Sequence, residues 1–307
     1  MERPTIRQLE GLVAVADHGS FRRAAASLGI SQPALSAQVQ AAEHLLGVQV
    51  FERDRRRVLV TPAGEEVVAR ARLALTAVDE VRATARRRAE PLVGPLRLGV
   101  IPTIAPYWLP ALLPAIRTRF PRLELILREE QTSRLLAQLD TGQLDVALLA
   151  LPVPGDLTTA AVAREDFLVA APRGAPVLSR RGALKERDLD AETVLLLEDG
   201  HCLRDQALAV CSRGGAVESM EVRGTSLPTL VQMVAGGLGV TLLPEAAAAA
   251  LVGRTRGPIG LARFATPAPG RTIGLAWRTS SARLREFRLL AEALRTEAER
   301  YLTKLHG

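Results

Sequence analysis

The feature that most constrains the fold of this chain is a change in hydrophobic periodicity near residues 90–95. Before Glu90-Pro91, apolar residues recur at helical spacing, whereas after Gly94-Pro95 short apolar runs of strand length alternate with helical stretches. Proline and glycine pairs are typical of linkers, and alternating strands and helices are typical of a parallel sheet covered by helices. The 307-residue sequence therefore predicts a helical amino-terminal unit and an α/β carboxyl-terminal unit with a parallel sheet.

Three short helices are predicted at the amino terminus, and the last two form a helix-turn-helix. Ser20 and Ser31 are candidate N-caps for these two helices, and Gly29 between them supplies a tight turn. A helix that enters the major groove of DNA needs short polar side chains at its start to contact base edges. The candidate base-contacting residues are Ser31, Gln32 and Ser36, and Pro33 is a further candidate DNA-binding residue in the same turn.

Positive charge near this motif favours a polyanionic partner. Two short strands, at 50–53 and 57–60, flank a charged turn and are predicted to form a wing. An arginine run by itself is more often a solvated turn, but beside a capped helix-turn-helix it favours phosphate contacts. The net charge of +7 agrees with double-stranded DNA as the partner. The candidate phosphate-contacting residues are Arg22, Arg23, Arg53, Arg55, Arg56 and Arg57.

A long helix is predicted from Ala63 to about residue 88, with Thr61-Pro62 as its cap and first-turn proline. Its apolar residues alternate spacings of three and four, which is typical of the seam of a helix pair. The seam consists of Val68, Ala71, Leu75 and Val78. This pattern predicts dimerisation through the helix.

In the α/β unit, strands are predicted at 96–100, 123–127, 146–149, 167–171, 194–197, 220–223, 240–243 and 272–277, with helices at 107–119 and 132–141. Ligands of such folds bind beyond the carboxyl ends of strands. The candidate ligand-binding loops are therefore Pro102-Thr103, residues 130–132 and residues 199–202.

Cys202 is the candidate reactive residue. It follows a predicted strand and begins a predicted helix, where the helix dipole favours an anion, and Arg204 adds a positive charge nearby. These surroundings favour the thiolate, the form of cysteine that attacks a peroxide. His201 and Asp205 are candidates to orient a water molecule or supply a proton. The apolar residues before Cys211 indicate, by contrast, a core residue at a helix end.

Three stretches resemble the amino-terminal signature of LysR-type transcriptional regulators: Phe21 to Ala25, Ser31 to Ser36, and Phe51 to Arg53. The family pattern spans essentially the whole chain. It implies an all-α winged helix-turn-helix plus a long linker helix, followed by an α/β periplasmic-binding-protein-like effector domain of two subdomains. The implied boundaries are 1–62, 63–90 and 91–307, with subdomain I at about 95–164 plus 271–307 and subdomain II at about 165–270.

Within that family, Ile101 to Ile104, Gln131-Thr132, and Gly200 to Ala207 followed by Cys211 resemble the hydrogen peroxide sensors. The resemblance implies oxidation of Cys202 to sulfenic acid and a reversible disulfide with Cys211 that alters binding at oxidative-stress promoters. It further implies an activator or repressor that assembles as a tetramer, a dimer of dimers, with RNA polymerase as another partner. The implied peroxide-binding residues are Thr103, Thr132, His201, Arg204, Asp205 and Arg271.

The implied disulfide has a geometric consequence. If residues 202–211 are helical, nine steps separate the two Cα atoms by roughly 13 Å. A disulfide requires Cα atoms within about 7 Å of each other. Oxidation must therefore unwind this segment, and Gly214-Gly215 is a candidate hinge.

One other class of protein stays open, and two further classes are disfavoured. The first is a LysR-type regulator that binds a small organic effector in the interdomain cleft, with incidental cysteines. A thiol peroxidase would need a second redox motif such as Cys-x-x-Cys, and a periplasmic binding protein would need a signal peptide. The start of the chain lacks such a signal, and apolar runs are short, so we expect a cytoplasmic protein. His18, His44 and His306 are scattered, so neither a metal nor a cofactor is expected.

Overall fold

The structure is a computed structural model that describes residues 3–53, 58–86, 91–179, 182–190, 192–253 and 257–306. The chain divides into two compact units. The amino-terminal unit comprises Met1–Glu90 with Asp140–Gln143, and the effector unit comprises Pro91–Leu139 with Leu144–Gly307. Within the described ranges, no helix is both long enough and apolar enough to cross a membrane.

The amino-terminal unit begins with three helices: α1 (Ile6–His18), α2 (Phe21–Leu28) and α3 (Gln32–Leu46). Both predicted serine caps are present. Ser20 Oγ accepts the N–H three residues later at 3.5 Å, and Ser31 Oγ does so at 3.3 Å. Gly29 ends α2 with φ +67°, a left-handed conformation that favours glycine. The helix-turn-helix prediction is confirmed, because the turn between α2 and α3 is fixed at both ends.

Two short antiparallel strands, β1 (Phe51–Arg53) and β2 (Val58–Val60), form the predicted wing. The description of this unit as all-α is therefore wrong. The long helix α4 (Pro62–Arg86) follows, and Thr61 Oγ1 caps it by accepting the Gly64 N–H at 2.9 Å.

The predicted dimerisation seam of α4 is wrong at Val68. This side chain lies in the apolar core of the amino-terminal unit with Leu12 and Val39, so it is not available to a second helix. Ala71 is also buried, whereas Leu75 and Val78 are half-buried. A single apolar stripe on a helix fits either a partner chain or the protein's own core, and here α1 covers its first part.

The strands of the effector unit are β3 (Gly94–Val100), β4 (Leu123–Glu129), β5 (Val146–Leu151), β6 (Leu157–Pro172), β7 (Thr193–Leu197), β8 (Val217–Gly224), β9 (Thr241–Pro244), β10 (Ile259–Arg263) and β11 (Gly270–Arg278). Its helices are α5 (Ala105–Arg119), α6 (Thr132–Asp140), α7 (Cys202–Gly214), α8 (Leu227–Ala235), α9 (Glu245–Leu251) and α10 (Leu284–His306). Short 3₁₀ turns lie at Pro176–Leu178 and Glu186–Leu189.

The main sheet is mixed, which corrects the prediction of a parallel sheet. Its order is β10-β6-β11-β5-β3-β4, with β9 also paired to β6. β3 runs parallel to β4 and β5, but β11 is antiparallel to both β5 and β6. The chain reaches β11 only after it has built the second, parallel pair of β7 and β8, and it then enters the main sheet in the opposite direction.

Strand β6 begins ten residues before its predicted start at 167. Residues 157–166 alternate partly exposed and more buried positions, and they pair with the whole length of β11. Their polar composition hides this strand from a search for apolar runs. Strand β10 was not predicted at all, and it pairs with β6 in the antiparallel direction.

Candidate functional site

The loop between β7 and α7 presents the predicted reactive cysteine. Cys202 is the first residue of α7 and is half-buried with a free thiol. Gly200 has φ +96°, a conformation that glycine adopts at little cost, and this residue turns the chain into the helix. Helix α7 has 13 residues, and its first N–H groups and the positive end of its dipole lie at this position, where they stabilise negative charge.

His201 lies directly before the cysteine and is buried at 7% exposure. Burial lowers the pKa of its imidazole, and the nearby Glu198 carboxylate opposes this shift only in part. Its Nε2 atom lies 3.4 Å from Nε2 of Gln131, which follows β4. His201, the residue before Cys202, is therefore held as a neutral ring against a side chain from a different part of the fold.

Thr103 and Thr132 occupy equivalent places after two neighbouring parallel strands. Val100 of β3 is in register with Glu129 of β4, and each threonine lies three residues beyond its strand end. Both hydroxyls are thus at the carboxyl edge of the sheet. Thr132 Oγ1 is buried and has no hydrogen-bond partner among the described residues, so it is available to a small polar ligand or water.

Arg271 is the best-fixed cation of the predicted set. Its Nη1 donates to Thr103 Oγ1 at 2.8 Å and its Nη2 donates to the Thr103 carbonyl at 2.9 Å. Its Nε donates to Glu165 at 2.9 Å, and both of these side chains are 0% exposed. Glu165 also accepts from the Trp108 indole at 3.3 Å and from the Ala246 N–H at 2.9 Å. The sequence analysis missed Glu165, although an isolated acid in a buried strand signals a paired charge.

Arg204 is held by ion pairs that were not part of its predicted role. Its guanidinium lies 2.9 Å from Asp199 and 2.8 Å from Glu218, and it donates to the Leu197 carbonyl at 3.3 Å. Its charge is therefore balanced by two carboxylates instead of acting on Cys202 alone. Asp205, one position further along α7, is exposed.

Cys211 is buried on the same continuous helix as Cys202. Burial raises the pKa of its thiol to about 11, and the nearby Glu186 carboxylate adds to this effect. Cys211 is therefore a protonated, unreactive thiol in this arrangement. The helix rise separates the two Cα atoms by roughly 13 Å, so no disulfide forms without a rearrangement of α7.

The carboxyl end of α7 is docked against the segment that contains Glu186, and the hinge at Gly214-Gly215 stays a prediction. A Cβ on Gly214 would lie 2.3 Å from the Glu186 carbonyl oxygen, so only glycine allows this close approach. Gly215 ends the helix with φ +76°. Arg213 pairs with the Glu186 carboxylate at 2.7 and 2.9 Å. Both glycines thus have packing and capping reasons to be present.

In the amino-terminal unit, the start of α3 is accessible. Ser31, Gln32 and Pro33 are exposed and Ser36 is half-buried. Arg22 and Arg23 are exposed on α2. The side chain of Arg53 and the whole of Arg55, Arg56 and Arg57 lie outside the described residues. Among the residues that the structure describes, no group of three or more His, Cys, Asp or Glu side chains is arranged to hold a metal ion.

Family profiles match both parts of the chain. The profile described as "Bacterial regulatory helix-turn-helix protein, lysR family" matches residues 6–65, and "LysR substrate binding domain" matches residues 89–299. The chain belongs to the LysR family of regulators. This confirms the family resemblance drawn from its helix-turn-helix residues.

Similar proteins within the LysR family are peroxide regulators. A probable hydrogen peroxide-inducible genes activator of Streptomyces viridosporus is 47% identical over 95% of this chain and 94% of its own length. The DNA-binding transcriptional dual regulator OxyR of Escherichia coli K12 is 43% identical over 98% of both chains. The predicted resemblance to the peroxide sensors is therefore confirmed.

Solved structures of OxyR have the same fold. A hydrogen-peroxide-bound cysteine-to-serine mutant of Corynebacterium glutamicum OxyR is 38% identical, with a TM-score of 0.67 over 100% of this chain and 98% of that one. A full-length cysteine-to-aspartate mutant of Pseudomonas aeruginosa OxyR is 35% identical, with a TM-score of 0.79 over 95% of this chain and 98% of that one.

Proposed function

We propose that this LysR-family protein is a transcriptional regulator that senses hydrogen peroxide through Cys202. The observation that carries the proposal is the position of Cys202 at the start of α7, beside the buried neutral ring of His201. The similarity to OxyR proteins, one of them bound to hydrogen peroxide, supports the same function.

The chemistry takes place in two balanced steps. The Cys202 thiolate attacks one oxygen of the peroxide, an S–O bond forms, the O–O bond breaks, and the released hydroxide takes a proton and leaves as water. Sulfur is oxidised to sulfenic acid and the peroxide is reduced. The Cys211 thiol then displaces the hydroxyl of the sulfenic acid as water, and a disulfide forms.

Several groups are proposed to bind the peroxide next to Cys202. Thr132 offers an unpartnered buried hydroxyl, and Arg271 orients the Thr103 hydroxyl by donating to it, which leaves the Thr103 proton free for a ligand. His201 supplies a further donor. Arg204 and Asp205, two and three positions after Cys202, stay candidates for the peroxide site, but the ion pairs of Arg204 favour a structural task for it.

The disulfide is proposed to act as the regulatory signal. It requires α7 to unwind, because the helix holds the two thiols too far apart. The docked carboxyl end of α7 favours unwinding from the Cys202 end, which would break the contacts of Arg204. The altered effector unit then changes the arrangement of subunits on DNA.

We also propose the remaining features of the regulator. The boundaries given above delimit a DNA-binding domain, a linker helix and a periplasmic-binding-protein-like effector domain of two subdomains. The base contacts come from the start of α3, and phosphate contacts come from α2 and the wing. The protein acts as a cytoplasmic tetramer that also contacts RNA polymerase, and it is a regulator and not an enzyme.

The decisive experiment combines peptide mapping with footprinting. After near-stoichiometric peroxide, a non-reducing digest should contain a peptide linked through Cys202 and Cys211, and the footprint on the protein's own promoter should change. The Cys202→Ser variant should give neither effect. A wild-type protein that forms no linked peptide, or a Cys202→Ser variant whose footprint still responds to peroxide, contradicts the proposal. Calorimetric binding of a metabolite together with an unresponsive cysteine would favour an organic effector instead.

A further inference from the structure

We propose that Gln131 is a positioning residue for the reactive thiol, because its side-chain amide holds the His201 ring in the tautomer that carries the proton on Nδ1. The inference rests on the proposed function of Cys202 and assigns a task to a residue that the sequence analysis left without one.

The position of Gln131 is set by the backbone around it. It lies between β4 and α6, and its carbonyl accepts the Leu135 N–H at 3.0 Å in the first turn of α6. Its side chain therefore starts from an ordered helix end. From there it reaches across to the loop that precedes α7, where it meets His201.

Gly200 provides the space for this contact. A Cβ at Gly200 would lie 2.6 Å from Oε1 and 3.3 Å from Nε2 of Gln131. The amide group thus lies against the bare Cα of Gly200, and both of its ends are close to the backbone. A side chain at this position would displace the amide from His201, in addition to the strain of the left-handed conformation.

The contact between the two side chains selects a tautomer. The amide nitrogen of glutamine donates hydrogen bonds and cannot accept them. With the amide nitrogen as the atom that faces His201, the His201 Nε2 atom 3.4 Å away is assigned as the unprotonated nitrogen that accepts. Because His201 is buried and its pKa is lowered, its ring is neutral and its single proton lies on Nδ1.

This tautomer suits the reaction at the adjacent cysteine. In this tautomer Nδ1–H is the donor that the ring still offers, and its proposed task is to donate to the peroxide oxygen that leaves as hydroxide. A donor at that oxygen stabilises the charge that develops as the O–O bond breaks. The task proposed for Gln131 is therefore exerted through His201 and not on the reacting atoms.

The test uses the full-length chain with Cys211→Ser, so that the reaction ends at sulfenic acid. The rate of Cys202 oxidation by hydrogen peroxide is measured from pH 5 to 8.5 in Gln131→Leu and Gln131→Glu. Loss of a partner that orients a catalytic histidine costs about 10-fold or more, so we expect the leucine variant to react at least about 10 times more slowly. A carboxylate at 131 accepts from Nε2–H instead, so the glutamate variant should gain a pH dependence with a higher midpoint than the parent. Gln232→Leu, an exposed glutamine on α8, is the matched control and should react at the parent rate.

Two further measurements separate positioning from a general structural effect. The first is a ¹⁵N-histidine spectrum of the reduced protein, in which comparison with His201→Asn assigns the His201 signals among those of four histidines. These signals should show the Nδ1–H tautomer, and Gln131→Glu should change the tautomer. In the His201→Asn background, Gln131→Leu should cause no further loss of rate.

An Nε2–H tautomer in the parent overturns the inference, as does a loss from Gln131→Leu that persists in full without His201. If Cys202 reacts normally and Gln131→Leu keeps the parent rate, the role of Gln131 fails while the proposed function stands. If Cys202 of the wild-type protein is inert to peroxide, the proposed function fails and the role of Gln131 fails with it.

Discussion

Replacement of Arg204 by methionine tests whether the ion pairs at the start of α7 stabilise the reduced form. Arg204 contacts Asp199, Glu218 and the Leu197 carbonyl, and its side chain is only 9% exposed. These partners belong to the β7–α7 loop, β8 and the end of β7. Unwinding of the first turns of α7 separates Arg204 from them, so their stabilisation is present only before the disulfide forms.

The magnitude follows from the exposure of each partner. The Asp199 side chain is 77% exposed, so its ion pair contributes no more than about 0.5 kcal/mol. Glu218 is 21% exposed, and the bond to the Leu197 carbonyl is buried, so each of these two contacts contributes about 1 kcal/mol or less. The reduced form of Arg204→Met should therefore lose about 2 kcal/mol, which corresponds to a midpoint potential about 40 mV more negative.

The assay is equilibration in graded glutathione buffers, followed by alkylation of free thiols and mass spectrometry of the 202–211 peptide. Arg300→Met is the matched control, because Arg300 forms an exposed ion pair with Glu297 on α10. Its potential should stay within about 10 mV of the wild type. An unchanged potential in Arg204→Met, or a shift to a more positive value, would refute the idea that oxidation breaks these contacts.

Three other predictions concern stability and DNA binding. Glu165→Gln removes the charge that balances the fully buried Arg271. The free energy of unfolding measured in urea titrations should therefore fall by about 3–5 kcal/mol. A loss below about 1 kcal/mol would contradict a buried ion pair. The Cys211 thiol, whose pKa is raised from 9.0 to about 11, stays protonated when the unfolded chain already ionises. Stability should therefore fall by about 2–3 kcal/mol as pH rises from 9 to 11, and Cys211→Ala should lack this component of the pH dependence. Arg22→Ala should reduce the slope of log K against log salt by about 1 in fluorescence anisotropy with promoter DNA, whereas Arg300→Ala should leave the slope unchanged.

The amino-terminal helices could be predicted almost to the residue, because their boundaries depend on local chemistry. Ser20, Ser31 and Thr61 each accept a hydrogen bond from an N–H three residues later, and Gly29 tolerates the left-handed turn. The local sequence did not distinguish between two structures that require the same pattern of apolar residues. The apolar stripe that includes Val68 predicts any buried helix face, and only the folded chain shows that the cover is its own core.

The sheet of the effector unit was harder to predict. Apolar runs located most strands, but direction and order are not encoded in a run of apolar side chains. The antiparallel insertion of β11 between β5 and β6 depends on pairing over more than 100 residues of sequence. The polar half of β6 became a strand only because β11 pairs with it.

The sequence by itself determined the start of α7, and with it the place of Cys202 at a helix amino terminus beside His201. Those features follow from neighbouring residues, since a strand, a glycine turn and a helix succeed one another along the chain. Only the tertiary structure decided which charges act there. Arg204 is two positions from Cys202, yet its guanidinium pairs with Glu218 on β8, while Gln131 on another loop contacts His201. A long side chain bonds to the groups that the fold brings within reach, and those groups are not the nearest ones in sequence.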